Sequence, residues 1–130
     1  MTAGLKAGHV SDTWPLMFGK LIPPNLFNAF INIFESPQTI VFIHRWFAFA
    51  VLIAITAFYF TARKQVNSIE IKNGLNWLLG LVFFQIALGI LTVILHVQIA
   101  IALVHQAGAL SLFALMIYFI HRLRALDAVR

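Results

Sequence analysis

Apolar and polar positions alternate along this chain in long blocks. Three apolar runs, Thr39 to Ala62, Leu75 to Leu95 and Ile99 to Ile120, each come close to the roughly 20 residues that cross a bilayer. The pattern predicts helices over residues 39–62, 75–96 and 99–121, joined by short polar links. The expected fold is all-α: an integral membrane helical bundle with three transmembrane helices and an N-terminal extracytoplasmic loop segment. On this reading residues 1–38 form the loop, 39–124 the three-helix bundle and 125–130 a cytoplasmic tail.

The polar blocks differ in kind. Residues 1–38 hold all four prolines (Pro15, Pro23, Pro24, Pro37) and Asn25, Asn28 and Asn32, a mixture that suits an ordered loop. Inside it, "NLFNAFINIF" repeats Asn at three-to-four spacing among Leu and Phe, the pattern of a short amphipathic helix. That helix lies either on the membrane surface or over the mouth of the bundle. The middle link, "RKQVNSIEIKNG", is too short for a domain and ends on Gly74, read as a turn residue.

Composition strengthens the membrane reading. The 130 residues are 62% hydrophobic and 10% charged, with a mean hydropathy of +0.93, against roughly 25% charged in soluble domains. The stretch before the first run does not read as a cleavable signal. With no cysteine, disulfides, thiolate metal sites and c-type haem attachment are excluded, so any metal must be held by His, carboxylate or Met.

Charge sets the orientation. The net charge of +5 does not imply nucleic acid, because the cations sit at the ends of the apolar runs. Arg63, Lys64 and Lys72 follow the first run, and Arg122, Arg124 and Arg130 follow the third, whereas Lys6 and Lys20 are balanced by Asp12 and Glu35. The positive-inside rule puts residues 1–38 and the link at His96 to Gln98 outside, with the middle link and C-terminus in the cytoplasm or matrix.

An ionisable residue inside a bilayer is costly and marks a functional candidate. His44 and His105 qualify. Each lies about five residues from the outer end of its run, roughly 7 to 8 Å down at the helical rise. The first and third helices run in one direction, so the two imidazoles share a depth. Such a pair can hold the iron of a flat haem between two helices, and haem b needs no cysteine. Ala48, Gly108 and Ala109 on the ligand faces leave room for it, and Arg45 can reach the interface to pair with a propionate. The competing readings are buried histidines hydrogen-bonded to neighbouring helices and an arginine that only snorkels to the interface.

Other polar residues read more plainly. His96 and His121 fall at helix ends, where headgroups or water solvate them, and His9 gives no signal. Gln85, Gly89, Thr92 and His96 form one stripe on the second helix, of the kind that packs membrane helices together. There is no nucleophile elbow, phosphate-binding glycine loop or zinc-protease motif, so hydrolytic and nucleotide chemistry lack support.

Four segments, "AGLKAGHVSDTWPLMFGKLIPP", "VFIHRWFAF", "QIALGILTVIL" and "ALVHQAGAL", agree in order and spacing with one family. From Ala3 to about Leu112 the chain resembles the haem A synthase family, of the bacterial CtaA and mitochondrial Cox15 type. The resemblance implies an eight-helix membrane protein of two similar four-helix halves, an oxidoreductase that converts the methyl group of haem O to the formyl of haem A for cytochrome oxidase assembly. It matches His44 and His105 to the family's two histidines and is closest to the C-terminal half, which holds haem b as cofactor. The catalytic half carries a Glu three residues before its His-Arg pair. Val41 stands there in this chain, and the loop cysteines of some members are missing. Glu35 is too far upstream to be assumed equivalent, and the catalytic residues stay unassigned.

The expectation is therefore part of a haem A synthase, incomplete on its own, in the bacterial inner membrane rather than the mitochondrial one. The resemblance implies haem O and haem A as substrate and product, the other half of the synthase or a second copy as partner, and haem O synthase as a neighbour. Membrane lipid surrounds it; nucleic acid is not a partner. The alternative is a b-type haem-binding anchor subunit for electron transfer without synthase activity, and a third reading is a structural membrane protein with satisfied histidines and no chromophore.

Overall fold

In a computed structural model of the chain, residues 10–11, 13–24, 26 and 36–127 are described. They form three helices, α1 (Pro37–Gln65), α2 (Ile69–Ile94) and α3 (Ile99–Asp127), all three long and apolar enough to cross a membrane. Every regular element among the described residues is helical, and the chain is an α-helical membrane protein. Apart from Leu26, the short helix expected within residues 25–34 lies outside the described residues.

Each helix is longer than its apolar run, although α2 stops at Ile94, two residues short of the expected 96. With 29, 26 and 29 residues, the helices measure about 39 to 44 Å at the helical rise, against a hydrocarbon core of about 30 Å. The extra turns carry the charges. Arg63 and Lys64 close the last turn of α1, and Arg124 that of α3, where cations favour the negative end of the helix dipole. At the other end of α1, Pro37 takes the first turn and the Ser36 hydroxyl accepts from the Thr39 amide at 3.4 Å.

The middle link is accordingly shorter than its polarity suggested. Only Val66 to Ser68 separate α1 from α2, and Gly74, expected as a turn residue, lies within α2. Its reason is packing: a Cβ at Gly74 would meet Phe119 Cζ of α3 at 2.5 Å. Without a side chain there, Phe119 closes down to 4% exposure. Likewise α3 continues to Asp127, past the expected start of the tail.

The helices run up, down and up, with α2 packed between α1 and α3. Burial agrees: 22% of the most apolar window of α2 is buried, against 6% for α3. Leu75, Leu78 and Val82 of α2 form the centre of the core with Ile55, Ala62, Leu112 and Phe119. Between membrane helices such packing acts through dispersion and shape rather than water exclusion. A polar staple joins the basic ends of α1 and α2. Arg63 Nη1 donates to Asn76 Oδ1 at 2.7 Å and to Tyr59 Oη at 3.0 Å, and Tyr59 Oη donates to Asn76 Oδ1 at 2.9 Å. Outward-facing Phe47, Ile53, Leu110 and Phe113 leave an apolar surface suited to lipid or further membrane protein.

At the opposite end the N-terminal segment folds onto α1. Met17 and Lys20 exchange both backbone hydrogen bonds around a turn whose central residues, Phe18 and Gly19, have φ of 54° and 75°. Positive φ at both central positions is the mark of a type I′ turn. The turn drives Met17, 1% exposed, against Val41 and Phe42. Met17→Ala is expected to remove about 2 kcal/mol of local packing. Hydrogen exchange should then quicken in residues 13–24 and stay unchanged around Leu75.

Candidate functional site

The docked loop and the starts of α1 and α3 meet at one end of the bundle, and the two membrane histidines lie just inside it. His44 stands seven residues after Pro37 and His105 six after Ile99, so both point from the second turn of parallel helices. Their rings come together, with centroids 6.2 Å apart and planes at 81°. Two metal–nitrogen bonds of about 2 Å, plus about 1.1 Å from each nitrogen to its ring centre, span roughly 6 Å, so the separation suits one shared iron. It also lies within the range of direct ring packing. Hydrogen bonding bears on the difference.

A structural pair would have its nitrogens satisfied by neighbouring helices. His105 Nδ1 is instead buried without a partner. The ring rests on α2, where a Cβ at Gly89 would stand 3.2 Å from His105 Cε1 and 3.7 Å from Nε2. Gln85, one turn away on the same face, donates from Nε2 to the main-chain oxygen of His105. Among the described residues no group of three or more His, Cys, Asp or Glu gathers.

Arg45 follows His44 directly. Its Nη1 donates to the Leu16 carbonyl of the docked loop at 3.4 Å, while Nε and Nη2 are buried without partners. A guanidinium with two unmet donors beside an imidazole pair has the chemistry to receive a carboxylate. The donor set of two imidazoles and a neighbouring guanidinium therefore fits a haem with acidic side groups.

His96 and His121 are exposed and take no part in the pair. His96 sits in the link between α2 and α3, with φ of 52°. Gly108, expected to make room for a porphyrin, faces α2 instead: a Cβ there would collide with Gln85 Oε1.

Residues 1–117 match the family model COX15-CtaA, described as cytochrome oxidase assembly protein. The chain belongs to this family. It is 36% identical over 126 residues to a haem A synthase of Flavobacterium johnsoniae, covering 93% of this chain and 37% of that protein. A haem A synthase of Parvibaculum lavamentivorans is 37% identical, covering 93% of this chain and 35% of that protein. For a haem A synthase of Wolbachia pipientis the identity is 41%, with 94% and 34% covered. The chain thus spans about a third of the length of these relatives. No solved structure matches it.

Within this family setting, Val41 gains meaning. It stands one turn before His44, where the resemblance places a carboxylate in the catalytic half, and it is 7% exposed and packed against Met17. Sequence reasoning missed two interactions, the Arg45 bond to Leu16 and the Gln85 bond to His105. The first joins positions 29 residues apart and had no sequence signal, whereas Gln85 had one, as a member of the polar and small stripe with Gly89, Thr92 and His96.

Proposed function

We propose that this chain is the portion of a haem A synthase that binds haem b near the outer face of the bacterial inner membrane. His44 and His105 would hold the haem iron, and Arg45 would receive an acidic group of the haem edge. The observation that carries the reading is the meeting of two imidazoles from α1 and α3 at 6.2 Å. The fully assembled protein would oxidise the methyl group of haem O to the formyl of haem A for cytochrome oxidase assembly. This portion would serve the electron path from that oxidation to an external acceptor.

Bound haem b supplies reversible one-electron chemistry, its potential tuned by axial ligands and burial. The residues do the rest. His44 and His105 hold the ligand nitrogens at one depth on opposite helices. Arg45 neutralises an anionic edge at the interface, and its bond to Leu16 ties that edge to the outer loop. Val41, one turn before His44 and packed against Met17, offers no proton-transfer group, which supports a cofactor role rather than catalysis at this pair. The catalytic residues would lie in the other half of the synthase or a second copy. Haem O synthase, which makes the substrate, is a fitting neighbour.

Orientation follows from charge. Arg63, Lys64, Lys72, Arg122 and Arg124 all lie toward the end of the bundle opposite the histidines, which supports a cytoplasmic placement for that end.

The test is to load the purified chain, in lipid, with haem b. A stoichiometric low-spin bis-imidazole spectrum that survives His96→Ala is expected, and a chain that takes up no haem would refute the reading. For Arg45, the variant Arg45→Gln should weaken haem b binding about tenfold, or about 1.4 kcal/mol, and Arg45→Lys less. Equal affinity of both variants and the parent would remove the Arg45 assignment.

A further inference from the structure

α2 supplies no imidazole, yet it touches His105 most closely. Gln85 is only 7% exposed. Its Nε2 donates to the main-chain oxygen of His105, while its Oε1 is buried without a partner against Gly108. Any side chain at position 108 would displace that amide. Four residues along the same face of α2, Gly89 forms the floor on which the His105 ring lies, with its missing Cβ 3.2 Å from Cε1 and 3.9 Å from Nδ1.

These interactions, both from one face of α2, act on the backbone and on the ring of one residue. A helical carbonyl is already engaged by the amide four residues on, so a second donor arriving from another helix is a specific tie at that height. Away from water such a tie has few competitors. The ring has no comparable anchor, since its Nδ1 is buried and unbonded. Its plane is therefore set by the Gly89 floor, and its height by Gln85.

We propose that Gln85 is the positioning residue of the ligand pair: with Gly108 giving its amide room and Gly89 seating the ring, it fixes how His105 meets His44. The inference rests on the haem reading above and extends it to a helix that provides no ligand. Generic helix glue would give a different result, because it would loosen α2 from α3 without acting on the ring in particular.

The experiment compares the parent chain in lipid nanodiscs with Gln85→Met, Gln85→Ala, Gly108→Ala and the Gln85→Ala/Gly108→Ala pair. Haem b affinity, the low-spin electron paramagnetic resonance signal and the midpoint potential are read alongside helix content. Gln85→Met keeps the length and removes the donor. It is expected to weaken haem b at least tenfold, broaden the low-spin signal and move the potential, with helix content as in the parent. Gly108→Ala should weaken binding when Gln85 is present and add nothing in the Gln85→Ala background. Unchanged affinity and signal in both Gln85 variants, or losses that track unfolding one for one, would overturn the proposal. If the parent takes up no haem b, the ligand reading fails on its own. Histidine-labelled nuclear magnetic resonance of the metal-free chain then decides. Rings of His44 and His105 that separate in Gln85→Met uphold the inference, and rings that stay together there overturn it.

Discussion

His105→Ala is expected to abolish the low-spin bis-imidazole spectrum of the haem-loaded chain and to weaken haem b binding by at least about a hundredfold, roughly 3 kcal/mol. His44→Ala should do the same. With the rings 6.2 Å apart, both would hold the iron, so removing either would leave it a single protein ligand. The surviving imidazole cannot compensate, because it is carried on a separate helix whose backbone holds it in place. Double substitution should then add little to either single one, since the two residues act as a unit. Titration of haem b into the three variants, read by absorbance, checks both the size of the loss and its non-additivity. His121→Ala serves as the neutral control, being exposed and remote from the pair.

Leu75→Ala and Leu78→Ala are expected to show the largest losses of stability in the bundle, about 2 to 5 kcal/mol each. Both side chains are 0% exposed and lie on the middle helix, packed by neighbours on both sides. Lipid chains are as apolar as leucine, so the loss arises from the cavity and the missing dispersion attraction rather than from transfer to water. The cavity cannot collapse easily, since Phe119 already sits against Gly74 and has no shorter approach. Denaturation in mixed micelles, followed by circular dichroism, should show both variants unfolding earlier than the parent. Phe47→Ala, on an outward-facing residue 64% exposed, should unfold with the parent.

Much of this architecture was legible because the apolar runs and their charged borders obey a strong constraint. A bilayer demands about 20 apolar residues and internally satisfied backbone, so runs of that length have few other structures open to them. The depth shared by His44 and His105 followed from the same counting. Helix ends were less legible. Polarity marks where lipid stops, whereas the helix continues through the interface, which is why Ile69 to Gly74 belong to α2 and Arg122 to Asp127 to α3. Gly74 and Gly108 were misread for a different reason. A glycine in a single sequence does not say whether it makes a turn, clears a ligand or admits a side chain from another helix, and here Phe119 and Gln85 fill the space. The docking of Met17 and the bond from Arg45 to Leu16 depend on how a loop returns to a helix, which no local pattern encodes.

The central claim is that two imidazoles, one from α1 and one from α3, converge on a single iron. Pulsed electron paramagnetic resonance on haem-loaded chain with nitrogen-15 histidine counts the imidazole nitrogens bound to the metal. Two are expected in the parent, one in His44→Ala and one in His105→Ala. A count of two that persists in either variant, or a parent with fewer than two, would contradict the account.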